Sequence, residues 1–92
     1  MGRPANDRLR AARRARLSPS GSGRVLSRQE LADAVNAYLH EHGGQTGIVD
    51  AGYVGKVERG VIRWPNAAYR QAFRAVLGAG SDADLGFYVV RG

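Results

Sequence analysis

The chain contains no cysteine, which removes disulfides and thiolate metal sites from consideration together. Long hydrophobic runs are also missing, and the N-terminus is a string of arginines with no apolar segment. Both features argue against a membrane span or a secretory leader. Acidic residues are scarce in the first 28 positions, where Asp7 stands alone against Arg3, Arg8, Arg10, Arg13, Arg14, Arg16, Arg24 and Arg28. Eight arginines less one acid give that segment +7, and the other six basic and seven acidic residues give −1, so the net +6 sits at one end. Such a basic end meets nucleic acid or an anionic membrane surface, or is a solvated tail.

Catalytic constellations are equally scarce. With no cysteine, no triad and no clustered carboxylates, the sequence is not read as an enzyme. His40 and His42 lie two apart and fall on different sides of a helix, so they cannot share a metal as residues at i and i+4 could. The stretch Gly55-Lys56-Val57 lacks the upstream glycine and the Ser or Thr of a phosphate-binding loop, and residues 78–86 do not match a dinucleotide fingerprint. No cofactor and no metal are expected.

What is present is one small helical domain, near the lower size limit for a single unstapled core. The reading divides it into a basic arm over 1–7, a helical domain over 8–80, and a capped turn with an apolar tail over 81–92. A first helix is expected from Asn6 to Leu17, and the "SPSGSG" of residues 18–23 has the composition of a flexible loop separating that arm from the core. In "LSRQELADAVNAYLHEH", residues 26–42, Ser27 and Glu30 form a capping box and Leu26 and Leu31 a hydrophobic staple. Leu31, Val35, Tyr38 and Leu39 then recur on one face, and glycines 43 and 44 end the helix.

"DAGYVGKVERG", residues 50–60, repeats that grammar. Asp50 caps, Val49 staples to Val54, Val57 faces inward, and Gly60 closes. A fourth helix is expected from Trp64-Pro65, with proline at its first position, through the apolar stripe Tyr69, Phe73, Val76 and Leu77 to Gly78. Ser81 and Asp84 cap a further turn that leads into "FYVV", residues 87–90, which suits an edge strand, a core lid or a docking segment. Trp64 is expected to brace its turn against the core, while Arg70 and Arg74 have the spacing of a solvated helix face.

The order of these segments, "LSRQELADAV", then a helix ending "VGKVERG", then a basic turn with proline and the helix "AYRQAFRAVLG", resembles the lambda-repressor-like, Xre-type helix-turn-helix regulators of bacteria. The likeness spans about residues 8–78. Arginine-, alanine- and glycine-rich usage with a single lysine is similar to the actinobacterial members. The resemblance implies an all-α, four- or five-helix domain in the cytoplasm at the nucleoid, binding double-stranded DNA as a homodimer. The helix from Ser27 would be the positioning helix, with Arg28 and Gln29 on the DNA backbone. The helix from Asp50 would be the recognition helix, with Ala51, Gly52, Tyr53 and Lys56 at bases or flanking phosphates. Arg10, Arg14 and Arg63 are further DNA contacts, and Arg13 is expected both to neutralise phosphate and to pair with Glu58. The tail 87–90 is the expected dimer interface.

The chain departs from that pattern twice. Ala51 and Gly52 are too small for bidentate base contacts, so Gly52 and Gly55 serve either a close approach to DNA or close packing by another helix. The joint between helices 2 and 3 is also elongated by about a dozen residues over the usual turn of 3 or 4. Two rival functions share the fold: a protein-interaction module, adaptor or antitoxin-like, and a nucleoid-type protein binding DNA by charge and shape. The opening Gly2-Arg3-Pro4 resembles part of an AT-hook core, which suits a minor-groove arm.

Overall fold

The computed structural model describes residues 5–43 and 49–89. These form four α-helices, α1 (Asp7–Arg14), α2 (Arg28–Gly43), α3 (Ala51–Glu58) and α4 (Ala67–Leu77), followed by a 3-10 turn over Ala83–Leu85. Among the described residues there is no named strand, and the fold is all-α. Helix α2 is the spine, packing against both α3 and α4, while α1 lies against α3 and the 3-10 turn.

Local chemistry starts each helix. Glu30 N–H donates to Ser27 Oγ at 3.0 Å and Ser27 N–H donates to Glu30 Oε1 at 3.0 Å, which is the reciprocal capping box at the head of α2. Asp50 Oδ1 accepts from Tyr53 N–H at 2.7 Å at the head of α3. Leu26 with Leu31, and Val49 with Val54, are buried on the core side of these two helix starts. Gly78 ends α4 in the left-handed region at φ 68°, where a side chain would be strained.

The core is built from one face of every element. Leu9 of α1, Leu31 and Val35 of α2, Val54 and Val57 of α3, and Phe73 of α4 are fully buried, and Leu85 of the 3-10 turn is 1% exposed. Full burial of each such side chain contributes about 1.5–3 kcal/mol. Ring pairs extend across this core, with Phe73 lying 5.9 Å from Phe87 in an edge arrangement and 6.5 Å from Tyr53 in a stacked one. A buried apolar stripe at helical spacing thus becomes a packed interior.

Several sequence expectations are corrected by this packing. Helix α1 stops at Arg14 and is capped by Ala15, because Leu17 instead pairs with Val25 in an antiparallel bridge. The "SPSGSG" segment is therefore a closed loop with its own hydrogen bonds. Nor does it set an arm apart from the core. Leu9 is in the core, Asn6 N–H donates to the Glu58 carbonyl at 2.8 Å, and Asn6 Nδ2 donates to the Leu85 carbonyl at 2.8 Å. Gly86 makes that last junction possible, since at φ 71° an added Cβ would collide with Asn6 Oδ1.

Helix α4 starts later than Pro65. Asn66 is the N-cap, with Oδ1 accepting from Tyr69 N–H at 2.8 Å, so proline lies ahead of the cap. Trp64 does not brace the core; it is 42% exposed, and the Arg70 guanidinium sits 3.8 Å from its ring centroid. Arg70 and Arg74 do not form a free solvated face. Both reach Asp82, at 2.8 and 3.5 Å, and tie the 3-10 segment to α4.

The long joint between α2 and α3 has an anchor with no local signal in the sequence. Asn36, midway along α2, donates from Nδ2 to the Val49 carbonyl at 2.8 Å and accepts from Val49 N–H at 2.9 Å. One side-chain amide thus imitates a strand partner and fixes the chain entering α3. The inserted residues 44–48 and the arm residues 1–4, including the Gly2-Arg3-Pro4 motif, lie outside the described residues. No described helix is long and apolar enough to cross a membrane.

Candidate nucleic-acid interface

Glu58, the last residue of α3, is fully buried and is the focus of the basic face. Arg13 from α1 donates Nε to Glu58 Oε2 at 2.6 Å and Nη2 to Oε1 at 3.3 Å. Its remaining reach goes to the Leu26 carbonyl, 2.8 Å from Nη1. Arg28 Nε donates to Glu58 Oε1 at 3.2 Å, and Arg10 Nε lies 3.6 Å from the same oxygen. Burial pushes the Glu58 carboxyl up, but the hydrogen bonds and charges of Arg13 and Arg28 outweigh it and hold the group below its ordinary value. Three helices are thereby joined through one carboxylate.

This geometry separates the two roles expected of Arg13. The residue is only 8% exposed and its guanidinium is engaged by Glu58 and Leu26, so it is an architectural partner and not a phosphate contact. Arg10 and Arg28 keep 37% and 47% of their side chains exposed while touching the same carboxylate. They are oriented by Glu58 and still face solvent.

Helix α3 shows which of its residues can meet a partner. Val54, Gly55, Val57 and Glu58 are buried, and the outward stripe is Gly52, Lys56 and, just past the helix, Arg59. Arg59 is not among the expected contacts, although its spacing from Lys56 and Gly52 places it on the same face. Ala51 is half-buried at the helix start. Tyr53 is turned away from the expected base contacts: it is half-buried, its ring 5.5 Å from Tyr69 in an edge arrangement. Burial and the neighbouring Tyr69 phenol push its hydroxyl up to about 12, so it stays a neutral donor.

Among the described residues, no other helix of the chain packs against the two glycines of α3. A Cβ on Gly52 would meet, among the described residues, the Asp50 carboxylate, at 3.3 Å from Oδ1, and one on Gly55 the Arg59 guanidinium, at 3.0 Å from Nη1. Gly55 lets the Arg59 side chain lie back against the helix. Gly52 leaves the outward face low and open.

The expected contact residues are partly brought together. Arg28 and Ala51 line one open groove with Arg24, Ser27 and the buried Arg13, and no acidic residue is among its walls. Gln29 is exposed beside Arg28 and donates Nε2 to Asp33 Oδ1 at 2.9 Å. Arg14 is exposed at the end of α1, and neither it nor Arg63 lines that groove. Arg63 is half-buried and donates Nε to the Gly60 carbonyl at 3.2 Å. His42 stacks on Tyr38, with centroids 4.0 Å apart, and no group able to hold a metal occurs among the described residues.

The tail also divides. Phe87 is 3% exposed and belongs to the core, whereas Tyr88 and Val89 are 46% and 52% exposed. Phe87 is thus removed from the expected dimer interface, and Val90 lies outside the described residues. Compared with protein-family models, curated proteins and solved structures, the chain matches none.

Proposed function

We propose that the protein is a sequence-specific regulator of transcription that binds double-stranded DNA through a helix-turn-helix of the Xre type, with α2 as positioning helix and α3 in the major groove. The observation that supports this best is the outward stripe of α3. Gly52 keeps the helix start low, Lys56 and Arg59 supply cations one and two turns on, and the carboxylate beside Gly52, that of Asp50, is engaged as the helix cap by Tyr53 N–H. The basic groove with Arg28 and Arg24 lies at the same end as Ala51. In this arrangement Ala51 contacts a thymine methyl and Lys56 a guanine O6 or N7, while Arg10, Arg14, Arg28 and Arg63 neutralise phosphates and make binding steeply salt-dependent. Glu58 acts indirectly, by setting the directions of Arg10 and Arg28.

The site is a cytoplasmic one, at the bacterial nucleoid. One short helix reads few base pairs, so a homodimer on a two-fold operator belongs to the proposal, with exposed Tyr88 and Val89 as its apolar contribution. Lys56→Ala is expected to weaken binding to the preferred duplex by about 1–3 kcal/mol while leaving a scrambled duplex within the loss of one phosphate contact. Competition binding with both duplexes reads this difference. An equal decline on both would favour the nucleoid-type reading. The small Ala51 and Gly52 favour the second reading, a protein-docking face, and no binding to any duplex would favour that one.

A further inference from the structure

The α1–α2 loop has more order than a connection requires. The Leu17–Val25 bridge is closed by two backbone hydrogen bonds, Ser18 N–H to the Arg24 carbonyl at 2.8 Å and Leu26 N–H to the Arg16 carbonyl at 2.8 Å. Three serine hydroxyls then run through the loop. Ser18 and Ser20 lie 2.8 Å apart, Ser20 donates to Ser22 at 2.9 Å, and Ser18 donates to Glu30 Oε2 at 2.5 Å. The chain of hydroxyls ends on the same carboxylate that completes the capping box of α2. The loop is therefore fixed to the positioning helix as one unit.

What this unit presents is a cation without a partner. Arg24 is exposed, and among the described residues no hydrogen bond or ion pair uses its guanidinium, while Arg28 across the groove is already shared with Glu58. The groove they line also contains Ser27 and Ala51, so it runs from the loop to the first residue of α3. Arginines with no acid between them fit a polyanion. The continuity with Ala51 makes the fitting polyanion the same duplex that α3 reads.

We infer that the 17–25 loop is a second DNA-binding element, a rigid wing whose Arg24 grips the phosphate backbone beside the α3 site. The inference rests on the proposed DNA-binding function. Its test is the salt dependence of binding to a random-sequence duplex and to the duplex chosen by selection, compared for the native chain, Arg24→Ala and Arg24→Lys. Arg24→Ala is expected to reduce the slope of log K against log salt by about 0.9, the value of one phosphate contact. It should do so on both duplexes, with an unchanged melting temperature, and Arg24→Lys is expected to retain the native slope. An unchanged slope for Arg24→Ala, with the native chain binding normally, overturns the wing and leaves the DNA reading standing. Loss of the slope in Arg24→Lys as well also overturns the charge contact. Failure of the native chain to bind either duplex at low salt overturns both.

Discussion

Glu58→Ala is expected to remove about 3–5 kcal/mol of folding stability, because breaking a buried pair leaves the opposite charge uncompensated. Arg13 is 8% exposed and donates two hydrogen bonds to this carboxylate, at 2.6 and 3.3 Å. In a domain of this size such a loss is a large share of the whole, so the variant should unfold at a markedly lower denaturant concentration than the native chain, followed by far-ultraviolet circular dichroism. A change below about 1 kcal/mol, the range of exposed ion pairs, would show that the arginines are held by other means. The same group sets a pH dependence. Its carboxyl titrates lower when folded than its ordinary value of 4.5, so its contribution is fully present above that value. The contribution is lost as the pH falls through the lower, folded value, and the acid limb of the stability curve should flatten in the Ala variant.

The second large effect is expected at the tail. Phe87→Ala should cost about 3–5 kcal/mol, the range for buried aromatic truncation, since Phe87 is 3% exposed and its ring meets Phe73. Its backbone is held as well, with Phe87 N–H donating to the Asp82 carbonyl at 3.0 Å and Tyr88 N–H to the Arg63 carbonyl at 3.1 Å. The neighbouring Tyr88→Ala is expected to change monomer stability by no more than about 0.5 kcal/mol. Denaturant unfolding of both variants checks the contrast. Equal small effects would return Phe87 to the surface, as a docking residue.

Much of the scaffold was legible because its determinants are local. The Ser27–Glu30 box and the Asp50 cap depend on side chains three residues from their partners, and both staples on short fixed spacings. The stop at Gly78 depends on one residue's access to positive φ. Asn66 against Pro65 shows two local rules in competition. The carboxamide that accepts from Tyr69 sets the helix start, and proline is simply tolerated before it.

What was not legible depends on residues far apart in sequence. The loop's closure needs Leu17 to meet Val25, and its stiffness needs Ser18 to find Glu30. The anchoring of α3 needs Asn36 to reach Val49, and the Arg70–Asp82 pair converts an apparent solvent face into a tie. For the tail, a run of four apolar residues signals burial without saying against what, so only the packing of Phe87 on Phe73 separates core from surface. At the candidate interface, the resemblance supplied the Arg13–Glu58 pair. It could not foresee that this pair takes Arg13 out of contact with phosphate, or that Tyr53 turns toward Tyr69.

The proposed sequence-specific readout by α3 is tested most directly by selection from a random duplex library, with affinities for the winner and a scrambled duplex measured at two salt concentrations. One recovered motif with two-fold symmetry is expected, its binding resisting salt better than that of the scramble. Recovery of no motif, with every duplex bound alike and released together by salt, would contradict it.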